Sequence, residues 1–446
     1  MRYQTRILCR RAELAELAAV WERCRRARAR GQLHHRLEHI AIEAEEMART
    51  GSSRWAGEGM MVAALFDPDE GTLVGAAPFL LQEWTWRCRL GYLSVGAFPV
   101  RRAVLCGTDW LGPDDPVEQA ALLQAILSAE VPYQMIFIEG LPVASDLLRL
   151  LRSSPQVRRE FWVDTLAGVT PRRLVDLPGS FEAYLAKFSG RTRRTLRYKV
   201  KRLRGAMTHG LRLQRVTRKE ELPRFLEQAG IVAARSWQGR CLGQSVDEQA
   251  TRRKLEALAE RGWLRGYLLS DGDAPVAFVV GLLDEGTYHY ERVGYDPAWA
   301  PYQPGTVLLL MILEDLCADG VPRTLDFGYG DSEYKRLFST RSYDELGVRL
   351  VRKSASMVVP YVTHAACWTG AALLRKGLDR FALREQVRRF LRGEPAPAAQ
   401  VEAEGAAWDE AEAAHPGGAA RPGRTARPGE AARGGEAASS AHAAAP

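Results

Sequence analysis

Three carboxylates, Asp326, Asp331 and Glu333, fall within the run DFGYGDSEYKRLF, with Tyr334, Lys335 and Arg336 directly after them. A carboxylate at the end of a strand can take a proton from an attacking group, and a cation beside it can hold an anionic one. Asp326 is therefore read as a base or an orienter, Lys335 and Arg336 as anion contacts, and Tyr334 as a substrate contact. A turn with a solvated charge cluster is the plain alternative. The run is not a kinase motif, because no HRD catalytic loop and no glycine-rich strand pair with a VAIK lysine precedes it.

Upstream, YHYERVGYDPAWAPYQPGTVLLL places a second candidate base, Glu291, beside Tyr290 on a strand, and then opens an apolar helix at Pro304. The N–H groups of a first helical turn form a seat for phosphate oxygens, and a glycine there lets a ligand approach closely. Gln303, Gly305 and Thr306 are thereby candidates for holding a phosphate-bearing ligand. The turn is neither a Walker A loop nor a dinucleotide GxGxxG. In SWQGR, Trp237 offers a flat apolar wall and Arg240 a fork of donors, a pairing suited to a planar or anionic substrate group. RTRRTLRYKVKRLR holds eight basic residues in fourteen and no acid. Leu196, Val200 and Leu203 at i, i+4 and i+7 give it one packing face. Arg194 and its neighbours then face an anionic ligand, or only solvent. The eight histidines are scattered, with no HExxH and no Ser-His-Asp constellation, so neither a metal site nor a covalent nucleophile is expected.

These stretches need elements to hold them. MMVAALFDPDEGTLVGAAPFLL and WLRGYLLSDGDAPVAFVVGLL share one plan, two apolar runs about an acidic, glycine-bearing turn. Each is followed by a further strand (Trp86 to Val95; Thr287 to Gly294), a helix (Pro116 to Ala129; Pro304 to Ala318) and a closing strand (QMIFIEGLP; RTLDFGYGD). The repeated order predicts two α/β domains of one design, each around a mixed, mainly antiparallel sheet. Helical sequence covers Phe181 to Phe188, Arg191 to Leu203, Arg218 to Ser236 and Asp247 to Arg261. TPRRLVDL reads as the boundary, giving domains at 1–172 and 173–355, C-terminal helices over 356–392, and a tail over 393–446 too poor in apolar residues to order itself. The closing strand of the first half carries Glu139 and no lysine, and is expected to matter little to chemistry.

The 446 residues suffice for two cores. The formal charge of +8 understates the basicity of the folded part, since from Gly393 onward four arginines face eight acids. Seven cysteines without a CxxC pair speak against a disulfide framework or a zinc site and for a reducing compartment. With charges at its N-terminus in place of an apolar leader, the chain is expected in the cytoplasm. Met357 to Leu374 is too interrupted to span a membrane, but as an amphipathic helix it could touch one peripherally.

In their order, SFEAYLAKFSGRTRRTLRYKVKRL, AFVVGL, YERVGYDPAWAPYQPGTVLL and DFGYGDSEYKRLF resemble the GNAT-type acyltransferase domain of the family associated with cellulose and exopolysaccharide biosynthesis. That family is related to the Fem-type peptidoglycan aminoacyltransferases, which are tandem GNAT domains. The resemblance spans about Ser180 to Phe338. It implies an acyltransferase that uses acyl-coenzyme A as co-substrate, without metal, and acts on an amine or hydroxyl of a sugar, polysaccharide or envelope precursor. Coenzyme A pyrophosphate would then lie at the YQPGT turn, which lacks the family's full Q/RxxGxG/A. An aminoacyl-tRNA donor is the alternative, DNA is not expected as a partner, and two other readings are a catalytically idle polysaccharide-assembly module and an RNA-binding protein.

Overall fold

The computed structural model describes residues 3–27, 32–49, 58–90, 93–235 and 249–380. Twelve strands form one mixed sheet: β1 (Gln4–Leu8), β2 (Met60–Phe66), β3 (Leu73–Leu90), β4 (Leu93–Leu105), β5 (Met135–Pro142), β6 (Phe161–Asp176), β7 (Leu211–Val216), β8 (Gly266–Asp271), β9 (Ala274–Asp284), β10 (Thr287–Tyr295), β11 (Thr324–Asp326) and β12 (Arg341–Arg352). They lie in the order β1-β2-β3-β4-β5-β12-β6-β11-β10-β9-β8-β7. Two pairs are parallel, β4 with β5 and β10 with β11. Each is joined by a helix, Pro116–Leu127 or Pro304–Asp319, as a parallel crossover requires. The repeated element order thus appears as two similar halves of one α/β sheet.

The halves share their strands at the middle. β12, from the end of the chain, inserts beside β5, and β6 pairs with both β12 and β11. The division expected at 172/173 falls inside β6. TPRRLVDL carries loop-like features, yet Pro171 keeps its place in the ladder opposite Asp344, and the charges of Arg172 and Arg173 are met by Asp326 and Asp331. Trp86 to Val95, expected as one strand, contains the end of β3 and the start of β4, which pair from Leu90 opposite Leu93.

Helices that the sequence reading did not mark, Ala18–Ala27 and Leu37–Arg49, lie against the C-terminal half. Leu33 and Ile42 share a buried cluster with Phe225, Phe278 and Val280. Arg25, 1% exposed, meets Glu285 at 2.6 Å, and Arg36 meets Asp284 at 2.9 Å. The basic helix runs Gly190–Ala206, capped by Ser189, whose hydroxyl accepts from the Thr192 N–H. Its Leu196 and Leu203 are buried, as the spacing requires, and Arg194 and Arg197 are exposed.

Candidate active site

The site begins where two parallel strands part. β10 and β11 pair only from Thr287 opposite Thr324 to His289 opposite Asp326; β11 then stops while β10 runs on to Tyr295. Just past that point β10 slips against β9, Tyr290 facing Gly281 and Arg292 facing Val280, so Glu291 is an extra residue in the ladder. A regular strand turns consecutive side chains to opposite faces, and a bulge re-aims one of them. Here Tyr290 and Glu291 both line the same cavity, of about 530 Å³.

Both halves wall this cavity. His34, His39 and Glu43 come from the N-terminal helical region, Glu139 from β5 and Arg172 from β6, while Lys254 comes from the helix Gln249–Glu260. His289 stands beside Asp326, the loop after β11 adds Phe327 and Tyr329, and the short helix Glu333–Phe338 adds Tyr334 and Lys335. Phe327 meets the rings of Tyr290 and Tyr334 edge-on, at 5.6 and 5.7 Å.

The acids in it and buried behind it differ sharply. Asp326 receives the Arg172 guanidinium in a two-pronged contact at 2.7–3.1 Å and the Gly328 N–H at 2.9 Å. Burial would raise its pKa, but Arg172 outweighs burial and holds it below the ordinary carboxylate range. A carboxylate so engaged has little basicity, so this geometry fits the orienting role foreseen for Asp326 and not the basic one. Glu345, on β12 and fully buried, shares Arg172 only at 3.4 Å, and its Oε1 has no protein partner. Burial pushes it up to about 7.

Glu291 faces the cavity, so its surface is open to cavity water although protein surrounds it on all sides. That partial withdrawal from bulk solvent, reinforced by Glu43, pushes its pKa up to about 7 against the pull of Lys254 and Arg292. The Lys254 ammonium is drawn elsewhere, to Glu43 at 2.5 Å and Glu46 at 3.3 Å. Burial lowers the pKa values of His34, His39 and His289, that of His39 to about 3, which leaves them neutral polar walls.

The remaining expected residues distribute as follows. Lys335 lines the cavity and donates to the carbonyls of Tyr329 and Gly330, tying up the loop. Arg336 is exposed, outside the lining, and pairs with Asp331 at 2.9 Å. Arg194 is exposed on the basic helix, also outside the lining. Gln303, Gly305 and Thr306 stand at the start of the helix Pro304–Asp319, beyond the lined part of β10. Gln303 adopts φ 54°, and its side chain does not cap the helix. Trp237 and Arg240 lie outside the described residues. Glu139, expected to be remote, opens onto the same cavity as Glu291 because β12 and β6 splice the halves together. His34, His39, Glu43, Arg172, Lys254 and His289 were not singled out. His34 has His35 as its sequence neighbour, and the rest become neighbours only through the fold. Among the described residues, no group of three or more His, Cys, Asp or Glu is placed to hold a metal ion.

Residues 190–336 match the family model described as Acetyltransferase (GNAT) domain. No curated protein matches the sequence. Among solved structures, FemX aligns at 13% identity over 78% of this chain and 97% of its own, with a TM-score of 0.49. The C-terminal DUF2156 domain of a putative lysylphosphatidylglycerol synthetase from Agrobacterium fabrum aligns at 12% over 80% and 97%, with a TM-score of 0.43. A tandem GNAT protein from the clavulanic acid biosynthesis pathway aligns at 12% over 79% and 99%, with a TM-score of 0.42.

Proposed function

We propose, on the match of residues 190–336 to an acetyltransferase (GNAT) domain, that the chain moves an acyl group from acyl-coenzyme A to an amine held in the cavity between its halves, with Glu291 as general base. The observation that carries this reading is Glu291 itself, an extra residue of β10 turned into the cavity with a pKa of about 7. A base serves best when its pKa lies near the working pH, since it is then both available and strong enough. Glu291, directly or through a cavity water, takes a proton from the acceptor ammonium, and the freed amine attacks the thioester carbonyl. The C–S bond breaks, and the departing thiolate takes up a proton. The neutral histidines and Glu139 offer hydrogen bonds to a polar acceptor, a character that suits an amino sugar or envelope precursor. On this reading the N-terminal half is the acceptor-side wall of the C-terminal catalytic unit.

The donor's phosphates fit the start of the helix Pro304–Asp319. Its first turn has no side-chain cap, and the Arg202 guanidinium of the basic helix lies over the adjacent Tyr302 ring at 5.4 Å. The same cations favour a second reading, an aminoacyl-tRNA donor: among the described residues, Arg197 is the one cation of that helix in an ion pair, with Glu182 at 3.4 Å.

Thiol release from acetyl-coenzyme A, measured over a panel of amino sugars and other primary amines, tests the proposal. Wild-type protein should transfer to at least one class, and Glu291→Gln should lose about a hundred- to ten-thousandfold in rate with its fold intact. Near-wild-type turnover by Glu291→Gln would remove Glu291 from the chemistry. Transfer from aminoacyl-tRNA alone would select the second donor.

A further inference from the structure

The helix Ala355–Arg380 presents an unusual outer face. Its inner face is well seated: Met357 and Cys367 are buried with Trp86, Cys88 and Val351, and Tyr361 stacks on Trp162 at 4.5 Å. Outward it shows Val358, Val359 and Val362, with Leu373 65% exposed, and between them Ala365, Ala366 and Thr369. No Asp, Glu, Lys or Arg occurs from Ser354 to Leu374. A surface helix of a globular protein normally puts charge on that side.

The patch extends beyond the helix. The hairpin of β3 and β4 runs beneath it, with Leu90 within 3.1 Å of where a side chain at Gly370 would begin. Next to Leu90, the hairpin exposes Leu93 (70%) and Val95 (56%). An apolar surface made by two separate elements marks an interaction site.

Charge identifies what covers it. Arg87 and Arg89 are exposed on the same hairpin. From Arg375 to Arg392 the sequence sets seven cationic residues against two acids, among Leu378, Phe381, Leu383, Val387 and Phe390. Apolar side chains bordered by lysine and arginine are what an anionic bilayer surface binds. A second copy of the chain on this face would bring the two cationic stretches together. No helix among the described residues is long and apolar enough to cross a membrane.

We propose that the outer face of the helix Ala355–Arg380 from Val358 to Leu373, with Leu93 and Val95 of β4 beside it, forms a docking surface for an anionic lipid bilayer. The full chain should float with vesicles of phosphatidylcholine and phosphatidylglycerol. It should float about tenfold or more weakly with phosphatidylcholine alone, and lose binding as salt rises. Val359→Glu/Val362→Glu, both at exposed positions, should keep the wild-type melting temperature and weaken vesicle binding by about tenfold or more, since each change withdraws an apolar side chain from the bilayer. Leu93→Asp, on the other element, should do the same. Three outcomes would overturn the proposal: no flotation of the wild-type chain, unchanged binding by both variants, or a wild-type dimer in gel filtration that the variants convert to monomer without any vesicle binding.

Discussion

Arg172→Met removes the guanidinium that faces Asp326 and Glu345 while keeping most of the side chain's apolar bulk. Arg172 and Asp326 each have side chains about 10% exposed, and Glu345 has none. Deleting one partner of a buried pair leaves an uncompensated charge and costs about 3–5 kcal/mol. With an unfolding entropy of about 2 cal/mol/K per residue over roughly 350 described residues, Tm should fall by about 4–7 °C. The sign of the pH dependence is set by the same contact. In the wild type Asp326 has a depressed pKa, so its contribution is present above the ordinary carboxylate pKa and lost as pH falls. In the variant the main opposition to burial is gone, with only the Gly328 N–H and His289 left beside Asp326, so both carboxyls rise, and the folded state binds protons that the unfolded state has released. The destabilisation should therefore be larger near pH 8 than near pH 5. Differential scanning calorimetry of both proteins at the two pH values reads this directly. A Tm within about 1 °C of wild type, or a deficit equal at both pH values, would refute the view that Arg172 neutralises a buried acidic centre across three strands.

Glu43→Gln should shift the acid limb of the kcat/KM profile to lower pH, because it deletes a charge that raises Glu291 and releases Lys254 toward it; an unshifted limb in steady-state kinetics would show that Lys254 stays with Glu46. Glu139→Gln should raise KM for the acceptor by about two- to tenfold with kcat nearly unchanged, as expected of a wall contact made equally in ground and transition states. Changing Arg193, Arg194 and Arg197 to Gln should raise KM for the phosphate-bearing donor and flatten its salt dependence, while circular dichroism stays unchanged, since Leu196 and Leu203 carry the helix's packing.

The strand-turn-strand plan of each half was legible because burial writes itself into sequence as apolar runs broken by acidic, glycine-bearing turns. The helix starts at Ser189 and Pro304 were legible through capping chemistry. The helix Leu37–Arg49 was not marked, although His39 and Glu43 of the cavity wall come from it. Nor could local pattern show that β12 would enter between β5 and β6, a pairing made across long stretches of chain. The same limit explains the site. Asp326 was singled out in the sequence, but its partner Arg172 lies 154 residues away and looked like part of a linker. Lys254 and Glu43 sit on helices with no motif, and only the packing of the two halves brings them to Glu291.

The central claim is that Glu291 acts as the base at the junction of the halves. It is tested most directly by the pH dependence of kcat/KM for acyl transfer, measured for the wild type and for Glu291→Gln. A carboxylic acid raised to about 7 is protonated and idle below that value, so wild-type kcat/KM should rise with pH through an inflection near 7. In Glu291→Gln the inflection should vanish and the residual rate be lower by about a hundredfold or more. An inflection that survives the substitution unchanged, with the rate close to wild type, would contradict the account.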